Sequence, residues 1–176
     1  MGIRADAGPQ GRAYSQGMDT IRETFATFSA DREAAKTAPK VTTTLNNGFA
    51  RASAGPFNWD IDLPGPLGGG NQSPSPTAYF LGALAGCAVA FINDTLAPEF
   101  EVEIEGISAT AGCTADLSGL VGVPGADPRL GDLSLTVEIT STSSSERLSA
   151  LRQAWSERCP IYLAITEPND IELTFT

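Results

Sequence analysis

Cys87, Cys113 and Cys159 are the strongest nucleophiles in this 176-residue sequence. The sequence contains no histidine. This absence excludes activation of a serine or cysteine by histidine, and every metal site that has a histidine ligand. The cysteines lack the short paired spacings that bind zinc or an iron–sulfur cluster, so we expect no metal and no cofactor. Any chemistry must come from thiols, carboxylates, arginines or hydroxyls.

The three cysteines have different sequence surroundings. Cys87 lies in the apolar run SPSPTAYFLGALAGCAVAFI, about eleven residues inside a predicted helix and beyond the reach of the helix dipole, so burial should raise its pKa. The alternative interpretation of Cys87 is a small apolar packing residue, and the same interpretation is preferred for Cys113 on a predicted strand. Cys159 precedes Pro160. If a helical turn begins there, free N–H groups would favour a thiolate.

Charge and hydropathy limit the partners of the chain. Eleven basic and 21 acidic residues give a net charge of -10, which repels nucleic acid and anionic lipid. The N-terminus has no apolar core typical of a secretion signal, and the apolar run over 78–92 is shorter than the ~18 residues that a membrane span needs. We therefore expect a cytoplasmic protein with reduced thiols that binds neither nucleic acid nor membrane.

The N-terminal part of the sequence precedes the predicted main domain. Residues 1–17 have no apolar periodicity and indicate a mobile arm or a strap over a partner. A short amphipathic helix is predicted from Met18 to about Ala35, packing on a sheet or another subunit; its apolar positions are Met18, Ile21, Phe25 and Phe28. We assign residues 1–40 to this arm and helix, and residues 41–176 to one domain.

The domain begins with strands and a long helix. The runs VTTTL and FNWDIDL predict two strands of a meander, and a loop rich in Gly and Pro follows. Ser75 is the predicted N-cap of a helix from about Pro76 to about Leu96.

The second half of the domain alternates between strands and a helix. EFEVEIEGISATAGCTADL and GDLSLTVEITS alternate as strands with one wet face. Ser143 and Glu146 form the capping box of a second helix that ends near Cys159. The final IELTFT predicts a last strand. This order of elements predicts an α+β fold rather than a parallel sheet.

The long helix is apolar on every side, so every side has to be covered. A single sheet of about six short strands covers one side only. A second subunit would cover the rest, and we therefore expect a homodimer.

The two cysteine motifs together resemble those of the OsmC/Ohr family. The motif AGC stands in a Gly- and Ala-rich helix, and the motif CP follows a capped helix 72 positions later (159 minus 87). The resemblance covers roughly residues 40–176. It implies an OsmC-like fold in which an antiparallel sheet wraps around a long central helix, as an intertwined homodimer.

The resemblance also implies an activity, the thiol-dependent reduction of organic hydroperoxides in oxidative-stress defence. Cys87 would be the peroxidatic thiol and would become a sulfenic acid, which Cys159 would convert to a disulfide. A dithiol of lipoyl type, or a small thiol, would then reduce the disulfide. The runner-up is a noncatalytic dimer of the same fold that binds a small apolar ligand at the subunit interface, with the cysteines as packing residues.

The sequence departs from the peroxidase members at two positions. They carry a glutamate after the proline that begins the long helix, where this chain has Thr77. They also carry an arginine in an early Gly-rich turn, and Arg51 is displaced from that position by about three residues. We expect Arg51, ahead of Arg158, to stabilise the Cys87 thiolate. A solvated surface arginine is the alternative for each.

Overall fold

The computed structural model describes residues 9–167 and 169–176, and its internal contacts divide the chain into two units. Unit 1 holds the described residues up to Lys36, with Gly86–Ala109 and Val137–Thr176. Unit 2 holds Thr37–Ala85 and Thr110–Thr136.

Helix α1 spans Pro9–Ala30. The helix therefore begins before Met18, where the sequence predicted its start, and includes residues 9–17; the rest of the predicted arm lies outside the described residues. Proline is well tolerated in a first helical turn, and Gln, Arg and Ala propagate a helix without any apolar periodicity. The predicted continuation to about Ala35 is replaced by a separate 3₁₀ turn, Glu33–Ala35.

Within the chain, helix α1 packs mainly on the helical segment Ala97–Glu99, where the sequence predicted a sheet or another subunit. Gly17 lies against Pro98, where an added Cβ would come within 3.4 Å of the proline ring. The glycine allows the close approach of the two helices in unit 1.

Unit 2 contains a three-stranded antiparallel meander, one strand more than predicted. Its strands follow chain order: β1 (Thr42–Asn46), β2 (Phe49–Ala54) and β3 (Phe57–Ile61). Asn47 and Gly48 both have positive φ, 50° and 88°, as a two-residue hairpin turn with the twist of the strands requires.

The loop after β3 is organised by the buried Asp62. Its carboxylate accepts hydrogen bonds from the N–H groups of Leu63, Gly70 and Gln72. The bond from Gln72, supported by those from Gly70 and Leu63, lowers the pKa of Asp62 against the opposing effect of burial. Gly69 has no room for a side chain, because a Cβ would lie 1.9 Å from the carbonyl oxygen of Leu63. The loop is thus a closed turn ahead of the long helix.

The long helix is continuous over Pro76–Glu99. It comprises α2 (Pro76–Phe91), a π-helical turn (Ile92–Leu96) and α3 (Ala97–Glu99). The Ser75 hydroxyl accepts a hydrogen bond from the N–H of Ala78, which confirms the predicted N-cap. The helix does not stop before Pro98 as predicted. The widened turn lies where the α-helical bonding pattern is interrupted by a proline that has no N–H.

This helix is long and apolar enough to cross a membrane, judged by its 24 residues and composition alone. The prediction that the apolar run is too short for a span is therefore wrong about length, because the helix extends past residues 78–92. A core helix of a soluble protein meets the same criterion. Only 28% of its most apolar stretch is buried within the chain.

Two strands and three helices complete the chain. They are β4 (Gly106–Thr114), α4 (Leu117–Leu120), β5 (Gly131–Thr140), α5 (Ser145–Arg158) and α6 (Pro160–Thr166). Strands β4 and β5 pair with each other, so the described strands form sheets of three and two strands instead of one sheet of about six. The predicted strand from Phe100 begins only at Gly106. Glu101 has a φ of 51°, which an extended strand cannot contain.

The core of unit 1 forms where the long helix meets α5 and the segment before β4. It consists of Ile92, Leu96, Ala97, Val102, Leu151 and Ala154. Ser144, and not Ser143, is the N-cap of α5, because the Ser143 hydroxyl accepts a hydrogen bond from the N–H of Glu103 instead. The predicted last strand is absent from residues 171–176 of the structure, and Ile171, Leu173 and Phe175 are exposed.

We predict that Asp62→Asn destabilises the protein at pH 7 and that the difference from wild type shrinks below about pH 4. A carboxylate with a lowered folded pKa stabilises the fold above its unfolded pKa, and this stabilisation is lost as the pH falls through the folded pKa. Urea unfolding at pH 7 and pH 3 measures both differences. Asp19→Asn, at an exposed position on α1, is the matched control. A destabilisation of the same size at both pH values would contradict this role of the charge.

Candidate active site

The two cysteines of the resemblance lie together in unit 1, with their sulfur atoms 3.1 Å apart. Both thiols are free, and one donates a hydrogen bond to the other. A disulfide bond is about 2.05 Å long, so the sulfurs need to move by only about 1 Å to become covalently joined.

Cys159 is held between two helices. Its N–H donates to the carbonyl of Trp155 in α5, and its carbonyl accepts from the N–H of Leu163 in α6. Its φ and ψ of -71° and 112° are extended, as the residue before a proline prefers. The rings of Trp155 and Tyr162 lie 5.1 Å apart and join α5 to α6 on either side of this break. The predicted helix end and new helical turn around Cys159 are confirmed.

The two thiols differ in exposure. Cys159 is completely buried, and Cys87 is partly exposed. Ala88, the next residue, is completely buried. Cys87 is therefore the more exposed residue of the pair.

The surroundings of Cys87 oppose its ionisation. Desolvation raises the pKa of Cys87 to about 11, and the hydrogen bond to Cys159 and the charge of that group act in the same direction. A hydrogen bond from the backbone N–H of Ile161 lowers the pKa and only partly offsets them. The expectation that apolar burial raises this pKa agrees with the structure.

The N–H of Ile161 is a functional group that the sequence did not reveal. The free N–H groups at the start of α6 were expected to act on Cys159, but that side chain makes no capping hydrogen bond. Ile161, in the first turn of α6, donates to Cys87 instead. The CP motif predicts the helical turn. It does not predict whether the N–H groups of that turn face the sulfur of Cys87 or that of Cys159.

Each candidate arginine forms an ion pair within its own unit. Nη2 of Arg158 lies 2.9 Å from Oε2 of Glu99, and the guanidinium stands 5.8 Å from the centre of the Phe100 ring. Arg51 lies on β2 in unit 2, where Nη1 is 2.8 Å from Oδ1 of Asp60 on β3. The role of either arginine toward Cys87 stays a prediction.

The remaining positions of interest are in unit 2. Cys113 is a half-buried free thiol on β4. Thr77 occupies the first turn of α2, where the peroxidase members would have a glutamate. No cluster of Cys, Asp and Glu side chains within the described part of the chain could hold a metal ion.

Comparison with known proteins gives one family match. A family model described as OsmC-like protein matches residues 68–174, which include Cys87 and Cys159. No curated protein sequence gives a significant match.

Several solved structures are similar in fold, and three of them are described below. An OsmC-like protein from Mycoplasma pneumoniae is 21% identical, with a TM-score of 0.61 and coverage of 74% of this chain and 88% of that one. An organic hydroperoxide resistance protein OsmC from Legionella pneumophila is 21% identical, with a TM-score of 0.55 and coverage of 74% and 90%. An OsmC-like protein of unknown function from Vibrio cholerae is 10% identical, with a TM-score of 0.58 and coverage of 74% and 95%.

These likenesses confirm the α+β, OsmC-like fold that the resemblance implied. At such identities they concern the fold alone. The family model covers more than half of the sequence and includes both cysteines that lie in contact. The chain therefore belongs to the OsmC-like protein family.

Proposed function

We propose that this protein reduces organic hydroperoxides with Cys87 as the peroxidatic thiol and Cys159 as the resolving thiol. The observation that carries the proposal is the contact of 3.1 Å between the sulfurs of two cysteines that are distant in sequence. Family membership adds support, since one relative of similar fold is named an organic hydroperoxide resistance protein.

The difference in exposure supports these two roles. The thiolate of Cys87 attacks one oxygen of the hydroperoxide, an S–O bond forms as the O–O bond breaks, and the alcohol leaves after taking up a proton. The thiolate of Cys159 then attacks the sulfur of the Cys87 sulfenic acid, and water leaves as the disulfide forms. Two electrons pass from the thiol pair to the hydroperoxide. A dithiol reductant returns them by exchange.

The high pKa of Cys87 means that a cation is needed. A thiol with a pKa of about 11 is only about one part in ten thousand thiolate at pH 7. Arg51 is the residue that we propose to supply the positive charge. Thr77 is uncharged and cannot form an ion pair with Arg51. Asp60 on the neighbouring strand does form an ion pair with Arg51. Asp60 thus replaces, in our proposal, the glutamate that this chain lacks.

The proposed active form is a homodimer in the cytoplasm. The long helix leaves most of its apolar stretch uncovered by its own chain, and a second copy would bury it. A thiol pair that is reduced in each cycle also needs a reducing compartment.

A second candidate function, a noncatalytic dimer that binds a small apolar ligand, is favoured by one observation. The raised pKa keeps Cys87 protonated and unreactive unless a cation compensates for desolvation. The two experiments that follow separate it from the peroxidase.

We predict that one equivalent of an alkyl hydroperoxide, such as cumene hydroperoxide, removes two of the three free thiols of the wild-type protein. Cys159→Ser should instead retain a sulfenic acid on Cys87, because its resolving thiol is missing. Thiol titration and dimedone labelling followed by mass spectrometry measure these products. Cys113→Ser, with both contacting thiols intact, is the control and should still lose two thiols. If the wild type consumes no thiol, the peroxidase proposal fails.

We predict that in the active form Arg51 holds the pKa of Cys87 below the value of about 11 that the surroundings within the single chain set, and that Arg51→Gln abolishes this lowering. The rate of thiol oxidation at pH 7 should then fall about tenfold or more, since each unit of pKa removes about tenfold of the thiolate. The pH dependence of iodoacetamide labelling at Cys87 gives the pKa. Arg152→Gln, an equal loss of charge at an exposed position of α5, should match the wild type. Equal pKa values in Arg51→Gln and wild type would exclude this role of Arg51.

A further inference from the structure

An open groove runs between helix α1 and the end of the long helix in unit 1. Its volume is about 830 Å³, within the range of sites for small molecules. Helix α1 precedes residues 68–174, the part of the chain that the family model matches. One wall of the groove is therefore built by a segment outside the matched region.

The floor of the groove is apolar and incompletely covered. Met18, Ile21, Phe25 and Phe28 of α1 line it together with Pro98 of α3. Phe25 is 74% exposed and Phe28 41% exposed. Two neighbouring phenylalanines this exposed on one helix form an apolar surface that a ligand could cover.

The charged residues that line the groove are mostly positive, although the chain has a net charge of -10. Arg22, Arg32 and Arg158 all line it, and the acidic residue among the lining side chains is Glu99. Glu99 pairs with Arg158. The guanidinium groups of Arg22 and Arg32 have no hydrogen-bond or ion-pair partner within the described part of the chain, so both remain available.

We propose that this groove binds a linear amphipathic anion, a long-chain carboxylate. The chain lies on the phenylalanine floor, and the carboxylate pairs with Arg22 or Arg32, because a guanidinium matches the two oxygens of a carboxylate. An apolar surface bordered by unpaired arginines favours such a ligand over an uncharged one. Binding needs neither thiol, so this site extends beyond the proposed peroxidase.

The test is isothermal titration calorimetry of the full chain with dodecanoate, kept below its micellar concentration. Wild type should bind one dodecanoate per chain. The double variant Arg22→Gln/Arg32→Gln should bind about tenfold or more weakly, since its charge-assisted hydrogen bonds are lost. Arg152→Gln, outside the groove, is the matched control and should bind as the wild type does. Dodecanol, with the same chain and no charge, should bind more weakly than dodecanoate.

Three results would overturn the inference. The first is no binding of dodecanoate by the wild type, and the second is equal affinity in the wild type and the double variant. The third is a dimer that Phe25→Ser dissociates in sedimentation, because a second copy would then occupy the groove. Circular dichroism of each variant verifies the fold. Dodecanoate is not a peroxide, so its binding and the oxidation of Cys87 can fail independently.

Discussion

The contact between the sulfurs of Cys87 and Cys159 depends on a break between two helices. Pro160 forces extended geometry on the residue before it, and this geometry turns the chain from α5 into α6. The Trp155 and Tyr162 rings then fix the angle between the helices. This turn places the thiol of Cys159 against the long helix, next to the thiol of Cys87. Without this break, Cys159 would continue the face of α5 instead of facing its partner.

The same geometry has two opposing effects on Cys87: it brings the thiol into contact with Cys159, and it disfavours the thiolate. Burial that brings the sulfurs into contact also removes water from the thiol, and the loss of water raises its pKa. The N–H of Ile161 offsets this effect only in part. A single backbone dipole stabilises a thiolate less than a full positive charge does. The contact between the sulfurs therefore favours the protonated form of the Cys87 thiol.

Local patterns were sufficient for much of the fold. Ser75 and Pro76 predict the start of the long helix, and Pro160 predicts the break at Cys159, because both depend on the geometry of adjacent residues. Contacts between distant residues were less predictable. The sequence predicts Ser143 as the N-cap of α5. In the structure its hydroxyl instead accepts a hydrogen bond from the N–H of Glu103, which is distant in sequence. The final IELTFT has the alternating pattern of a strand. A strand also needs a second strand to pair with, and the local pattern does not identify that second strand.

The complete burial of Cys159 has a consequence for the return half of the proposed redox cycle. Exchange with a reductant proceeds by attack along the line of the S–S bond, so it requires an open approach to the sulfur that is attacked. Cys87 is the more exposed of the two residues, and Cys159 is completely buried. A mixed disulfide with the reductant would therefore form on the long helix, and Cys159 would be the leaving group. The burial of Cys159 would thereby determine which sulfur of the disulfide the reductant attacks.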